Sequence, residues 1–439
     1  MTAQYSISGS TARGIATSVE RAVADAVLGP GAPLPPVRQL AMELGVSPGT
    51  VAVAYKELRQ RGIVVTRGRG GTVVAQGPSV GSRRPPRVPE GLRDLASGHP
   101  DPAFLPELHP PARVGPVSGS HRASPRLASL EELTRAWFER DGVPAAHVTF
   151  AHGALDCVAR LLSTELRPGD TVAVEDPGFH HLLDLVPALG LGTAPVAVDD
   201  EGMSPGALSA ALRSGARAVV CSPRGQSPMG GRFTRERRDD LAAVLAAHPE
   251  VLVIEDDHNA DISGAEAHPL AAAGPPRWAL VRTVSKYLGI DLRWAGVACD
   301  ATTLARHDGR LLLTSGWVSH VLQETVARLL DDEEVTRLVE RAEEEYARRR
   351  EALVVELGSR GIAAHGASGL NVWVPVRDES AVVNGLRSHG WWVAAGARFR
   401  ISAPTAVRIT TAALEPADAA RLASDFAAVL SESEALYGG

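Results

Sequence analysis

The chain has 439 residues, 44% of them apolar, which is length enough for two or three domain cores, and it holds no apolar run long enough to span a bilayer. It carries 45 Lys/Arg against 51 Asp/Glu, a net charge of −6, and its only cysteines, Cys157, Cys221 and Cys299, lie far apart without metal-ligand spacing. That pattern argues against a disulfide scaffold, a cysteine–metal site and a membrane protein, and the expected compartment is the cytoplasm.

Charge is divided unevenly. Residues 1–84 hold ten Lys/Arg and four Asp/Glu, a net +6, and the remainder is −12. A basic head on an acidic body suggests that the head alone meets a polyanion. In the head, Ile15, Val19, Val23, Ala26 and Val27 recur at helical spacing until Gly29-Pro30-Gly31. Pro35-Pro36 then opens a second helix with Val37, Leu40, Ala41 and Leu44 on its apolar face. Gly45-Val46 makes a turn, and Ser47 caps a third helix with Pro48 at its first position. That helix buries Val51, Ala54, Tyr55 and Leu58, and two β-runs, Ile63–Thr66 and Thr72–Ala75, flank "RGRGG". The pattern is a winged helix-turn-helix. Ser47, Gly49, Thr50, Val53 and Lys56 fall on or before the outward N-terminal half of the third helix, where base edges are met, and Arg38, Arg67 and Arg69 fall near phosphates. The stretch "LPPVRQLAMELGVSPGTVAVAYKELRQRGIVVTRGRGGTVV" resembles the winged-helix domain of the GntR family of bacterial regulators. Members of that family often have arginine where Pro48 stands, so one usual DNA contact is missing and more of the binding falls to Arg38.

Residues 77–93, "GPSVGSRRPPRVPEGLR", are rich in Pro, Gly and Arg without an apolar period and read as a linker. Order resumes at "DLASGHPDP". Beyond residue 145, "HVTFAHGALDCVARLLSTEL", "DTVAVEDPGF", "ARAVVCSPRG", "EVLVIEDDHNADI" and "RWALVRTVSKYL" alternate strand and helix. The predicted fold class is α/β, a mostly parallel doubly wound sheet with ligands gathered at the carboxyl ends of its strands.

One of those ends carries Lys286. The chain has 43 arginines and only two lysines, Lys56 and Lys286, so a lysine in "VRTVSKYLGIDLRWAG" needs a reason. Arginine holds charge as well and forks to phosphate better. Lysine alone loses its proton at moderate cost and attacks an aldehyde to form a Schiff base. Pyridoxal 5′-phosphate is the cofactor whose chemistry uses that bond. Its other needs have candidates: Gly153-Ala154-Leu155 at a helix start and Arg293 for the phosphate, Asp256 for the ring nitrogen, and Phe179 to stack on the ring. Singly, each has an ordinary structural explanation. Together, in this order on one α/β pattern, they are specific.

Residues 94–430 resemble a fold-type I aminotransferase domain, and the whole chain is similar to the MocR subfamily of GntR regulators, most of all to the PtsJ type linked to vitamin B6 metabolism. The residues that carry this are "DLASGHPDP", "VAVEDPGF", "VDDEGM", "IEDDH", "RTVSKYLGIDLR", "GWVSHVLQE" and "ISAPTAVRIT". The resemblance implies that Lys286 is the Schiff-base lysine, Asp256 the pyridinium partner, Arg293 a phosphate ligand with Thr283 near it, and Arg408 the contact for an amino-acid carboxylate. It implies a winged helix at 1–76, a linker at 77–93, a large cofactor domain at 94–305 and a small α+β domain at 306–439. It also implies a homodimer reading paired DNA half-sites. The pattern breaks at Ser227, where transaminases have asparagine, and at His258, where related domains have tyrosine. No tyrosine lies between Tyr55 and Tyr287 to reach a partner's phosphate. These breaks favour a regulator that binds pyridoxal phosphate, a related vitamer (pyridoxamine phosphate included) or its amino-acid adduct over a working aminotransferase with a DNA-binding head. They leave a residual half-reaction open.

Overall fold

A computed structural model of the chain describes residues 7–24, 27–29, 31–60, 63–66, 71–74, 88–108 and 124–437. It divides into two compact units, one of residues 1–84 with 167–170 and 184–192, the other of residues 85–166, 171–183 and 193–439.

The head has helices α1 (Ala12–Ala24), α2 (Val37–Leu44) and α3 (Pro48–Gln60) and an antiparallel hairpin, β1 (Val64–Thr66) with β2 (Thr72–Val74). Ile15, Val19, Leu40, Val51, Ala54, Tyr55, Leu58 and Val64 form its core, as their spacing predicts. The turn between α2 and α3 requires Gly45, whose φ of 64° is left-handed and lets its N–H reach back to Ala41 O and Met42 O. Ser47 Oγ then accepts from Thr50 N at 3.1 Å, the cap that starts α3. Val27 departs from expectation: α1 closes earlier, Val27 N bonds back to Ala22 O, and the side chain is 46% exposed. Ala26 and Ala75 lie outside the described residues. The hairpin also has a neighbour the alternation pattern did not suggest. Pro33 bridges Val73, with Leu34 N to Thr72 O and Val74 N to Ala32 O at 2.8 Å each.

The body holds strands β3 (Arg93–Leu95), β4 (Val148–Ala151), β5 (Thr171–Asp176), β6 (Gly192–Asp199), β7 (Gly202–Met203), β8 (Ala216–Cys221), β9 (Leu252–Asp256), β10 (Trp278–Thr283), β11 (Ala295–Cys299), β12 (Asn371–Pro375), β13 (Trp391–Ala395) and β14 (Ala406–Thr410). Its helices continue as α4 (Ala128–Glu139), α5 (Ala154–Glu165), α6 (His180–Ala188), α7 (Pro205–Arg213), α8 (Arg235–Ala246), α9 (Ala301–Leu313), α10 (His320–Leu330), α11 (Glu333–Gly358), α12 (Glu379–Ser388) and α13 (Pro416–Tyr437). The large sheet runs β4-β11-β10-β9-β8-β5-β6-β7. Its centre, β5-β8-β9-β10, is parallel, and its strands are buried along nearly their whole length, which is why they read as continuous apolar runs. β11 runs antiparallel to both of its neighbours.

The smaller sheet runs β12-β14-β13-β3. Its parallel edge strand β3 comes from the other end of the body: Arg93, at the expected linker's last position, and Asp94 and Leu95 pair with Trp391, Trp392 and Val393. α11 serves both lobes. Val335, Val339 and Tyr346 pack in the cluster with Trp137, Tyr287 and Trp294, while Leu353 and Leu357 pack with Val372, Val407 and Phe426.

Candidate functional site

The parallel strands end where the chemistry-bearing residues begin. β9 ends at Asp256, β10 at Thr283 three residues before Lys286, and β5 at Asp176 three residues before Phe179. β4 runs through Gly153 into α5. A shared direction therefore delivers these side chains to one edge of the sheet.

There a cavity of about 360 Å³ takes in Ala154, Leu155, Phe179, Ser227, Asp256, His258, Thr283, Lys286, Arg293 and Arg408. Gly153 stands behind that wall as the N-terminal cap of α5, with φ at 94°. A Cβ on it would lie 2.7 Å from Arg293 Nη2, so only glycine lets the guanidinium close on the helix start. The free N–H groups of that first turn and the exposed Arg293 guanidinium lie where they could together hold an anion. Thr283 Oγ1 donates to Trp294 O at 3.0 Å and meets Ser285 Oγ at 2.9 Å.

Lys286 lines the cavity, so part of its surface is open, while protein surrounds its amine on the other sides. Nζ donates to Gly98 O at 2.5 Å. Burial, and secondarily Arg408, push its pKa from 10.5 down to about 8, against the pull of Asp256. Burial raises Asp256, with His258 and Lys286 opposing, and its Oδ1 is buried with no hydrogen-bond partner among the described residues. His258 Nδ1 lies 3.3 Å from Asp256 O, and its ring is parallel to that of Phe179 at 6.2 Å. Arg408 is 3% exposed, bonds to Ala96 O and stands 4.4 Å above the Phe399 ring. Among the described residues no carboxylate pairs with it, and burial and Arg398 lower its pKa. A guanidinium does not give up its proton, so this is a buried cation in want of an anion.

Asp256 rests on a buried network. Asp257 accepts from Arg224 Nε at 2.9 Å and Arg282 Nε at 2.7 Å, and both arginines also reach Asp141. Those two guanidinium groups hold Asp257 down to about 2 despite its burial.

The cavity also contains residues that motif reading missed. Gly98 and His99 arrive from "SGHP", Ser285 precedes the lysine, His180 and His181 follow Phe179, and Asn371 comes from β12. Ser285 was legible as a hydroxyl two residues beyond Thr283. The histidines carried no spacing signal. His180 is pushed down to about 2 by burial and by His181, Arg398, Arg408 and Lys286, and is neutral.

In the head, Gly49, Val53 and Lys56 are exposed on α3, as is Arg38 at the start of α2, and Ser47 is exposed just before α3. Thr50 is half-buried, its hydroxyl 2.9 Å from Ser47 Oγ. Arg67 and Arg69 lie outside the described residues.

Residues 121–426 match the family described as aminotransferase class I and II, and residues 11–74 match bacterial regulatory proteins of the gntR family. The chain is 39% identical over 425 residues to the vitamin B6 salvage pathway transcriptional repressor PtsJ of Salmonella typhimurium, covering 95% of this chain and 98% of that one. It is 29% identical over 365 residues to the pyridoxine biosynthesis transcriptional regulator PdxR of Corynebacterium glutamicum, covering 77% of each. In fold it is similar to kynurenine aminotransferase of Pyrococcus horikoshii, with a TM-score of 0.70 at 18% identity over 78% of this chain and 92% of that one. It is also similar to the α-aminoadipate aminotransferase LysN of Thermus thermophilus, with a TM-score of 0.67 at 20% identity over 79% and 94%.

Proposed function

Because the chain belongs to the class I and II aminotransferase family and, with its gntR head, is a DNA-binding transcriptional regulator of the MocR type, we propose that its body holds pyridoxal 5′-phosphate, a related B6 vitamer or an amino-acid adduct as the signal that sets how its head binds DNA. The observation that carries this is Lys286. It is the only lysine of the body, its pKa is lowered to about 8, and it shares one cavity with Asp256 and Arg293.

The residues present fit the cofactor on three counts. Among the described residues Asp256 has an oxygen without a hydrogen-bond partner and Arg408 has no carboxylate in ion-pair contact, Asp94 acting on it only from farther away, and Gly153 admits Arg293 to the helix start. Arg293 and the N–H groups of Gly153, Ala154 and Leu155 would hold the phosphate, with Thr283 beside it. Asp256 would hold the ring N–H, Phe179 and His258 would wall the ring, and Ser227 would face its hydroxyl. Pyridoxal phosphate would bring an aldehyde that a neutral lysine amine captures reversibly and a second amine displaces. Arg408 would take the carboxylate of that second amine. Ser227 is shorter than asparagine and His258 replaces a phenol, so ring tuning is weakened more than binding. Sensing needs only that bound and free states differ.

The resemblance to PtsJ supports a repressor in vitamin B6 metabolism. The proposal includes a cytoplasmic homodimer whose two heads read paired half-sites, as a symmetric pair of winged helices would. Among the described residues no helix is long and apolar enough to cross a membrane.

The deciding experiment is fluorescence anisotropy with a duplex selected by the protein from a random pool, titrated with pyridoxal, pyridoxamine and pyridoxine phosphates. At least one of them is expected to shift affinity about tenfold, the usual size of an allosteric coupling. No shift with any of them sinks the reading, and steady release of a keto acid over many turnovers replaces it with the enzyme. On the same duplex Lys56→Ala should lose about 1–3 kcal/mol if it reads a guanine, with less loss on scrambled DNA. Affinity should fall with salt at a slope of about −0.9 per neutralised phosphate. An equal loss on both duplexes reduces Lys56 to a phosphate contact.

Gly153→Ala tests the anion seat. The added methyl displaces Arg293 and strains a left-handed backbone. Affinity for pyridoxal phosphate should drop about tenfold or more, as for loss of a charge-assisted bond, and affinity for unphosphorylated pyridoxal should not change. Equal losses for the two ligands would place the phosphate elsewhere.

A further inference from the structure

The turn after β5 and the loop before β14 are joined by one carboxylate. Asp176 is 4% exposed, and its oxygens accept four hydrogen bonds from three consecutive residues. Oδ1 accepts from Ile401 N at 2.8 Å, and Oδ2 accepts from Ser402 N at 2.8 Å, Ser402 Oγ at 2.7 Å and Ala403 N at 3.0 Å. Two residues on, Gly178 N donates to Phe399 O at 2.7 Å. The loop's own lobe holds it through a second buried carboxylate: Glu379 accepts from Ala397 N at 2.8 Å, Arg400 Nε at 3.0 Å and Ala406 N at 3.1 Å. Residues 396–406 are thus strung between one buried acid from each lobe. Every group facing Asp176 is a donor, so only an acceptor-only side chain satisfies them all.

This loop governs the placement of Arg408. Phe399, on the loop, is the ring beneath the Arg408 guanidinium, and β14 begins three residues after Ala403. The same Asp176 turn leads into Phe179 and His180 on the cavity wall, and the His180 ring meets Phe399 edge-on at 5.1 Å. A four-donor carboxylate cage allows little slack, so a shift at residues 401–403 moves Phe399 and, with it, Arg408.

We infer that Asp176 is a positioning residue of the small-molecule site: by caging residues 401–403 it sets where Arg408 stands relative to Lys286, and so governs affinity for the carboxylate end of the effector without touching it. This rests on the reading that Arg408 takes that carboxylate. Nothing in the cage bears on the phosphate seat, whose parts come from α5 and Arg293.

The test uses the full chain with Asp176→Asn and Ser402→Ala. Three quantities are read: hydrogen exchange of a peptide spanning residues 400–405, affinity for pyridoxal phosphate by absorbance, and the L-alanine concentration that half-shifts the spectrum of the loaded protein. In Asp176→Asn the carboxamide turns N–H groups against N–H groups. Exchange at 401–403 should rise about tenfold, pyridoxal phosphate affinity should stay within about threefold, and half-saturation by L-alanine should rise about tenfold. Ser402→Ala, which removes one donor of the four, should show the same split at about threefold. If Asp176→Asn fails to fold, Ser402→Ala decides by that split alone. Parallel losses for both ligands reveal a merely structural role and overturn the inference, as does an unchanged L-alanine response while exchange rises. Arg408→Ala, run alongside, reads the earlier assignment separately. An unchanged L-alanine response there, or none in the wild type, overturns the carboxylate role of Arg408. A loss there with none in Asp176→Asn overturns only the inference about Asp176.

Discussion

Lys286→Met is expected to abolish borohydride trapping of pyridoxal phosphate on the body and to make the cofactor-free protein more stable at neutral pH. The first effect follows from chemistry: the body has no other lysine, and Lys56, exposed on the head, serves as the internal control. The second follows from burial. The folded protein holds the amine at a pKa of about 8 against 10.5 in the free side chain, so the unfolded chain takes up the proton first as pH falls. Folding therefore loses stability as pH drops from 10.5 to 8, and the loss is constant below that. Methionine relieves it, by at most about 3 kcal/mol at pH 7 because part of the lysine surface meets cavity water. Arginine would keep a permanent charge in the same place and is the poorer probe. The lowered pKa also predicts the pH dependence of capture. About a tenth of the amines are neutral at pH 7 and about nine tenths at pH 9, so the initial trapping rate should rise roughly tenfold between them. A reduced cofactor found on a body peptide of Lys286→Met removes the assignment.

Asp257→Asn is expected to carry the largest cost in stability, about 3–5 kcal/mol, because it leaves two buried guanidinium groups sharing one remaining carboxylate, Asp141. Arg282 and Asp257 are both 0% exposed and Arg224 5%, so water cannot replace the lost partner. Arg282 has little room to move, since Nη1 donates to Trp137 O at 2.8 Å and the guanidinium lies 5.4 and 5.1 Å from the Trp137 and Phe138 rings. The folded protein holds Asp257 down to about 2, below an ordinary aspartate. Its contribution is therefore fully present above pH ~4 and is lost as pH falls through about 2, so the wild type and Asp257→Asn should converge only in strong acid. Urea unfolding at pH 7 measures the difference. Adding Arg224→Met should restore part of it by rebalancing the charge. A loss below about 1 kcal/mol would mean that the four groups are not coupled.

What could be read before folding was whatever depends on near neighbours. The spacing of Leu40, Gly45, Ser47 and Val51 defines a helix-turn-helix, because caps and turns are satisfied within a few residues. The apolar runs ending at Asp256 and Lys286 announced strands whose tips bear chemistry, because parallel strands buried on both faces leave polar residues only at their ends. The one lysine of the body among its arginines was legible too, since the capacity of a primary amine to form a Schiff base belongs to the residue type, although its pKa is set by the fold.

What those surroundings do was decided only in three dimensions. "EDDH" offers three acids in a row, and nothing local ranks them. In the fold, Glu255 accepts from Leu270 N and Ala271 N at 2.7 Å each, Asp256 lines the cavity with one oxygen unpartnered, and Asp257 neutralises Arg224 and Arg282. Alternation along a strand sends neighbours to opposite faces, and what waits on each face comes from distant segments. Lys286 and Arg408 each bond to a carbonyl in the segment after the linker, at Gly98 and Ala96, 188 and 312 residues away in sequence. Asp176 meets its donors 225 to 227 residues on. β3 leaves the large sheet for the small one because Trp391–Val393 presents a parallel edge there. Contacts across such separations leave no period in the chain, since they are set by which sheet edges and loops the fold brings together.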